Sequence, residues 1–168
     1  MSNDHADETE RQITYAALSG LFLSLFAAFA LRNKKYHDFL QLKPFDLVQL
    51  GLATFRVGRL ISYDQVTEPY RLPFTKTVED SSGAGKTTVA KGSGVRRVIG
   101  ELISCPICSG TWVAAILVYG MGVAPRATRA FIAIMSATGM AELLNAAQEA
   151  LEWTGQEQRN EVGGRSSR

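Results

Sequence analysis

Leu102-Ile103-Ser104-Cys105-Pro106-Ile107-Cys108-Ser109-Gly110-Thr111-Trp112-Val113-Ala114-Ala115-Ile116-Leu117-Val118-Tyr119-Gly120-Met121-Gly122-Val123-Ala124-Pro125 carries no charged side chain over twenty-four positions. At about 1.5 Å per residue, a helix of that length exceeds the roughly 30 Å of hydrocarbon in a bilayer. A second uncharged run, Gln12 to Leu31, fills twenty positions. A third, Ala130 to Ala141, is shorter, but the apolar pattern resumes after Glu142 and supports a helix through Leu151. The 46% hydrophobic content is thus concentrated in segments rather than spread as in a soluble domain. The lipid bilayer is the first expected partner. A net charge of +2 without a dense basic stripe argues against nucleic acid.

The flanks refine this reading. Before the first run stand Asp4, Asp7, Glu8 and Glu10 against Arg11, where a secretory signal would be basic, and Arg32, Lys34 and Lys35 follow it. Residues 12–31 therefore read as an uncleaved anchor behind an acidic tail, residues 1–11. Pro44 is placed to open a helix over Phe45 to Ser62, on which Asp46, Gln49, Arg56 and Arg59 recur at helical spacing. Residues 44–151 form one membrane domain, interrupted by a glycine-rich loop expected to be flexible over 75–94. Residues 156–168 are polar enough to read as a disordered tail.

Lysine and arginine placement arbitrates topology, because cytoplasmic loops carry the excess. Arg56 and Arg59 would each cost about 2.5–3.5 kcal/mol at the bilayer centre if unpaired. The fold class expected is therefore all-α, an integral membrane protein with three spanning helices and one amphipathic helix at the interface or re-entrant. With the amino terminus outside and the carboxyl terminus inside, fifteen basic residues fall inside and three outside. A four-span alternative with the amino terminus inside gives ten against six, and it requires Arg56 or Arg59 to pair with Glu142 within the bundle.

Two motifs carry chemistry. Ser81-Ser82-Gly83-Ala84-Gly85-Lys86-Thr87-Thr88 resembles the end of a phosphate-binding loop, but the first glycine of that pattern falls on Asp80, and the preceding Thr75-Lys76-Thr77-Val78-Glu79 is half polar. Nucleotide binding through Lys86 is not expected. Cys105 and Cys108, the sole cysteines, flank Pro106 at a helix start, where the dipole favours thiolate. They fit a redox pair, half of a metal site completed by a second subunit, or small buried side chains packed beside Gly110. With His5 and His37 the sole histidines, one chain offers no evident four-ligand zinc set. Trp112 and Tyr119 suit headgroup anchoring. Glu142 and Asn145 share a helical face, and a carboxylate in a span is either functional or a salt-bridge partner.

Taken together, Leu52-Ala53-Thr54-Phe55-Arg56-Val57-Gly58-Arg59-Leu60-Ile61, Asp64, Glu68-Pro69-Tyr70-Arg71-Leu72-Pro73-Phe74 and Gly100-Glu101 leading into Cys105-Pro106-Ile107-Cys108 and Trp112 resemble a bacterial family. It is catalogued as domain of unknown function 1360: small integral-membrane proteins of Gram-positive bacteria, some labelled sporulation proteins. The similarity runs from about Phe45 to Leu151. It implies residence in the bacterial cell membrane and supplies no reaction. Arg56, Arg59, Asp64, Arg71 and Glu101, with Glu142, are expected to form a polar network near the cytoplasmic face beside the thiol pair. The expected role is a non-catalytic envelope component that binds a membrane protein partner or a second copy of itself, without a cofactor. The alternative is a membrane thiol protein using Cys105 and Cys108.

Overall fold

The structure is a computed structural model that describes residues 2–32, 42–79 and 86–166, with side chains described over 8–31, 42–79 and 87–154. It is mostly helical. Helix α1 spans Ser2–Arg32, α2 Pro44–Ser62, the short α3 Glu68–Arg71, α4 Gly94–Ser104, α5 Pro106–Val123 and α6 Pro125–Ser166, with a 3-10 turn at Gln65–Thr67. Prolines open α2, α5 and α6, where a missing N–H costs nothing and the fixed φ suits the first turn. Among the described residues, three helical stretches are long and apolar enough to cross a membrane: Glu8–Leu31, Pro106–Val123 and Pro125–Thr154.

The all-α expectation needs one amendment. Strands β1, Thr75–Glu79, and β2, Lys86–Ala90, pair antiparallel in a hairpin with Thr75 opposite Ala90 and Glu79 opposite Lys86. This lies inside the stretch expected to be a flexible loop. The β-branched residues Thr75, Thr77, Val78, Thr87, Thr88 and Val89 suit a pleated surface. A lone hairpin is marginal in water, and this one is backed by α4, whose Gly100 sits on the Phe74 carbonyl and on Ala90. Lys86, Thr87 and Thr88 lie in a strand, not at the start of a helix as a phosphate-binding loop requires, and Ser81 to Gly85 fall outside the described residues. His37, Lys34 and Lys35 also fall outside them. The backbone of α1 begins at Ser2 and that of α6 continues to Ser166, so both expected tails prolong helices, as helix propagation favours once a nucleus exists.

The core lies where α2, α5 and α6 meet. Ala53, Val113, Leu117 and Ile132 are its buried members, with Leu50, Val57, Ile61, Met121 and Met135 packed around them. Contacts fix the helix directions. The Ser136 hydroxyl donates to the Gln49 carbonyl (2.6 Å), Gly139 lies against the Leu52 carbonyl, and Glu142 meets Arg59, so α2 and α6 run parallel. Gly58 abuts Pro106 and Thr54 abuts Gly110, so α2 and α5 run antiparallel. Tyr15 meets Glu101, Phe22 packs edge-on against Trp112 with centroids 5.2 Å apart, and Phe29 meets Tyr119 at 4.4 Å. Helix α1 therefore runs parallel to α5.

That parity bears on topology. The three-span expectation sends α1 and α5 across the membrane in opposite senses, whereas the two helices run in the same sense. The amphipathic helix is also inside out relative to an interfacial one. Small residues Ala53, Gly58 and Ser62 of α2 face the bundle, while Phe45, Leu47, Val48 and Phe55 are exposed.

Candidate functional site

The charged residues singled out from the sequence gather at the end of the bundle where α2 finishes and α5 begins, but they divide into three groups. In the first, Arg56 donates to the Asp64 carboxylate at 2.6 Å and lies 3.8 Å from Glu142. Arg59 donates from Nε to Glu142 at 2.5 Å and stacks over Phe55 and Tyr63. Two guanidinium groups thus face two carboxylates, and the cluster is neutral. The i, i+3 spacing of Arg56 and Arg59 on α2 puts both on the face that meets α6. Charge-assisted bonds in such partly desolvated surroundings are stronger than in water, and each lost partner leaves an uncompensated charge.

Arg71 behaves differently. It is buried, at 5% exposed, and its guanidinium donates to the carbonyls of Asp64 (2.9 Å), Tyr63 (3.3 Å) and Ile61 (3.4 Å). These are orphan acceptors just where α2 ends, so Arg71 caps the negative end of its dipole. Thr67 donates to the Leu60 carbonyl at 2.5 Å in the same place. The Ser62 hydroxyl donates to the Ile103 carbonyl at 2.7 Å, and Thr88 donates to the Ser62 carbonyl at 3.2 Å. The hairpin, α4 and α2 are thereby tied at one point.

Glu101 stands apart from both groups. Its carboxylate accepts from the Tyr15 hydroxyl at 2.5 Å and from Arg97 Nε at 3.2 Å, and lies 3.8 Å from Arg11. Burial pushes the Glu101 carboxyl up, but the hydrogen bonds from Tyr15 and Arg97 and the charges of Arg11 and Arg97 outweigh it and hold the group below its ordinary value. The continuous polar layer expected from sequence is therefore interrupted: Glu101 belongs to the α1–α4 contact. Of its partners, Arg97 was legible as an i, i+4 pair, whereas Tyr15 and Arg11 lie over eighty residues away with no local signal.

Cys105 and Cys108 are placed as a disulfide pair, Cα atoms 5.2 Å apart, at the junction of α4 and α5. Cys105 is the N-cap of α5, and its Sγ accepts from the Cys108 N–H at 3.2 Å. Among the described residues no group of three or more potential ligands stands together to hold a metal. Gly110, one turn on, leaves ordinary contact room for Thr54. Trp112 and Tyr119 both pack against α1. Asn145 donates to Glu149 rather than to Glu142.

Set beside known proteins, residues 49–148 match the family described as protein of unknown function DUF1360. The chain belongs to that family. Arg56, Arg59, Asp64, Arg71, Glu101, Glu142 and both cysteines lie inside the matched stretch, whereas α1, with Tyr15 and Arg11, lies outside it. This DUF1360 chain is 37% identical over 101 residues to the sporulation protein YjcA of Bacillus subtilis, covering 58% of this chain and 86% of that protein. It is 29% identical over 102 residues to the protein YngL of the same organism, covering 60% of this chain and 75% of the relative. No solved structure matches.

Proposed function

We propose that this DUF1360 protein is a multi-pass protein of the bacterial cell membrane that crosses four times, keeps both termini in the cytoplasm, and acts as a non-catalytic partner-binding component of the envelope. The observation that carries the topology is the placement of α2. It runs antiparallel along α5, with Thr54 against Gly110 and Gly58 against Pro106, turns large apolar side chains outward, and pairs Arg56 and Arg59 with Asp64 and Glu142. A neutral cluster removes most of the cost of taking two arginines into the membrane. Parallel α1 and α5 separated by one further crossing need α2 to make it. Ten basic residues then lie inside against six outside, a smaller bias of the same sign as the three-span count.

The role in the envelope rests on the relative named a sporulation protein and on a cluster in which Arg56 and Arg59 are matched in charge by Asp64 and Glu142 and tie α2 to α6. Cysteine labelling in intact cells tests the topology in a variant whose native cysteines are serine. A membrane-impermeant maleimide is expected to label single cysteines at Asn33 and Ala127 and to spare Ser2 and Ser82. Labelling at Ser2 with protection at Asn33 would instead establish the three-span arrangement. The same Cys105→Ser/Cys108→Ser protein tests the role: it should retain full cellular function at normal protein level, and loss of function at that level defeats the non-catalytic reading.

A further inference from the structure

Between α1, α2 and α5 lies a groove of about 720 Å³, its walls including Phe22, Phe26, Ala114 and Val118, with Gly51 and Gly110 along it. That is within the range of roughly 300–1,000 Å³ typical of ligand sites. Gly51 sits in the middle of α2, where glycine costs about 0.5–1 kcal/mol relative to alanine. Gly58 and Gly139 have an internal reason, since a Cβ on either would come 2.8 Å from a backbone oxygen of the neighbouring helix. A Cβ on Gly51 would meet nothing within 4 Å, so the space it vacates is not used by the protein itself.

Arg59 lines this groove and also a second, polar cavity of about 480 Å³, where it is joined by Tyr63, Glu68, Arg71, Glu79 and Thr88. Arg59 spends Nε on Glu142, and among the described residues its terminal nitrogens have no hydrogen-bond partner. Arg71 has no carboxylate within ion-pair distance among them either. The free terminal nitrogens of Arg59 suit a phosphate oxygen, the Arg71 guanidinium, whose terminal nitrogens are held by the carbonyls at the end of α2, adds positive charge beside it, and the two carboxylates of Glu68 and Glu79 suit an ammonium group. The polar cavity lies where α2 ends and the hairpin begins, the depth of headgroups if α2 crosses the membrane.

We propose that groove and cavity together hold one aminophospholipid of the cytoplasmic leaflet. One of its acyl chains lies along Gly51, its phosphate meets the terminal nitrogens of Arg59 with the charge of Arg71 beside it, and its amine lies beside Glu68 and Glu79. Lipid tails are as apolar as leucine, so the chain contributes packing and the headgroup carries the selection. The inference rests on membrane residence as proposed above, but its test is independent of how many times the chain crosses.

The full-length protein in mild detergent, titrated with phosphatidylethanolamine or with phosphatidylglycerol of the same chains, is read by native mass spectrometry. One phosphatidylethanolamine is expected per chain, preferred about tenfold, the magnitude of one charge-assisted hydrogen bond. Gly51→Leu fills the groove without touching a charge and should weaken retention about tenfold or more; Ala115→Leu, on the facing wall, serves if the first variant misfolds. Glu68→Gln should reduce the preference for the amine while keeping lipid bound. Equal retention of the two lipids, preference for phosphatidylglycerol, or unchanged binding in a folded groove-filling variant would overturn the assignment. Maleimide labelling of the same variants in cells reports separately on topology.

Discussion

Glu142 answers two guanidinium groups at once, and that double duty makes it the residue on which the helix packing depends most. Glu142→Gln keeps the shape but removes the charge that Arg56 and Arg59 share. The three side chains are between one-fifth and two-fifths exposed, so the full penalty for a broken buried pair does not apply, and a loss of about 1–3 kcal/mol is expected. Thermal unfolding in detergent would show it as a lowered midpoint. Replacing both partners, Arg59→Met with Glu142→Leu, should recover most of the loss, because an apolar pair in the same volume owes no desolvation. A double variant as unstable as the single one would mean that packing, not charge, is what Glu142 supplies. At Glu101 the expectation concerns acid. Its folded-state value is depressed, so its contribution is fully present above the ordinary carboxylate range and is lost as the pH falls through the lower folded value. Fluorescence of Trp112, which Phe22 abuts, should report α1 loosening in that acid window. Tyr15→Phe removes one hydrogen bond that lowers the value, so loosening should begin at higher pH; an unmoved midpoint would show that Tyr15 does not set the titration. Sequence spacing made the Arg59–Glu142 pairing legible as an option. It gave no sign that Arg71 would take backbone carbonyls, because helix-end acceptors become visible once the chain's turn is known.

Among the elements, α2 shows how glycine positions encode helix approach. Gly58 stands against the Pro106 carbonyl and Gly139 against that of Leu52, both close enough that an added methyl group must push backbone away. Gly58→Ala and Gly139→Ala should therefore each destabilise the bundle by about 1–3 kcal/mol, the usual cost of overpacking. Gly20→Ala, with open space around it, should be neutral or slightly stabilising, since alanine loses less conformational freedom in a helix. Equal melting of all three variants would remove the argument that these glycines set the crossings. The long apolar stretches of α1, α5 and α6 were readable because length and absence of charge survive any tertiary context. The hairpin was not, since Thr75–Glu79 is short, half polar and stabilised by α4 and by the end of α2 rather than by its own pattern. The packing of α2 against α6 was hidden for a related reason: two arginines at helical spacing read as a water-facing stripe until Glu142, more than eighty positions later, joins Asp64 in pairing them.

For the molecule as a whole, the matched family region excludes α1, and none of the apolar stretch Glu8–Leu31 is buried within the fold. The core residues Ala53, Val113, Leu117 and Ile132 all come from α2, α5 and α6, as do three of the four members of the neutral charge cluster, Asp64 lying just beyond α2. Helix α1 is thus an addition clipped onto a three-helix core through Tyr15, Phe22 and Phe29. Deleting residues 1–41 should leave the core able to insert and pack, with a thermal midpoint a few degrees lower, because aromatic pairs contribute about 0.5–1.5 kcal/mol each beyond their area. The deletion also removes Phe22 and Phe26, one wall of the apolar groove, while leaving Arg59, Arg71 and Glu68 in place. Lipid retention should therefore fall far more than stability does. If the truncated protein unfolds outright, α1 is part of the core and the division drawn from burial is wrong. If it stays folded and retains lipid unchanged, the headgroup cavity acts without the groove.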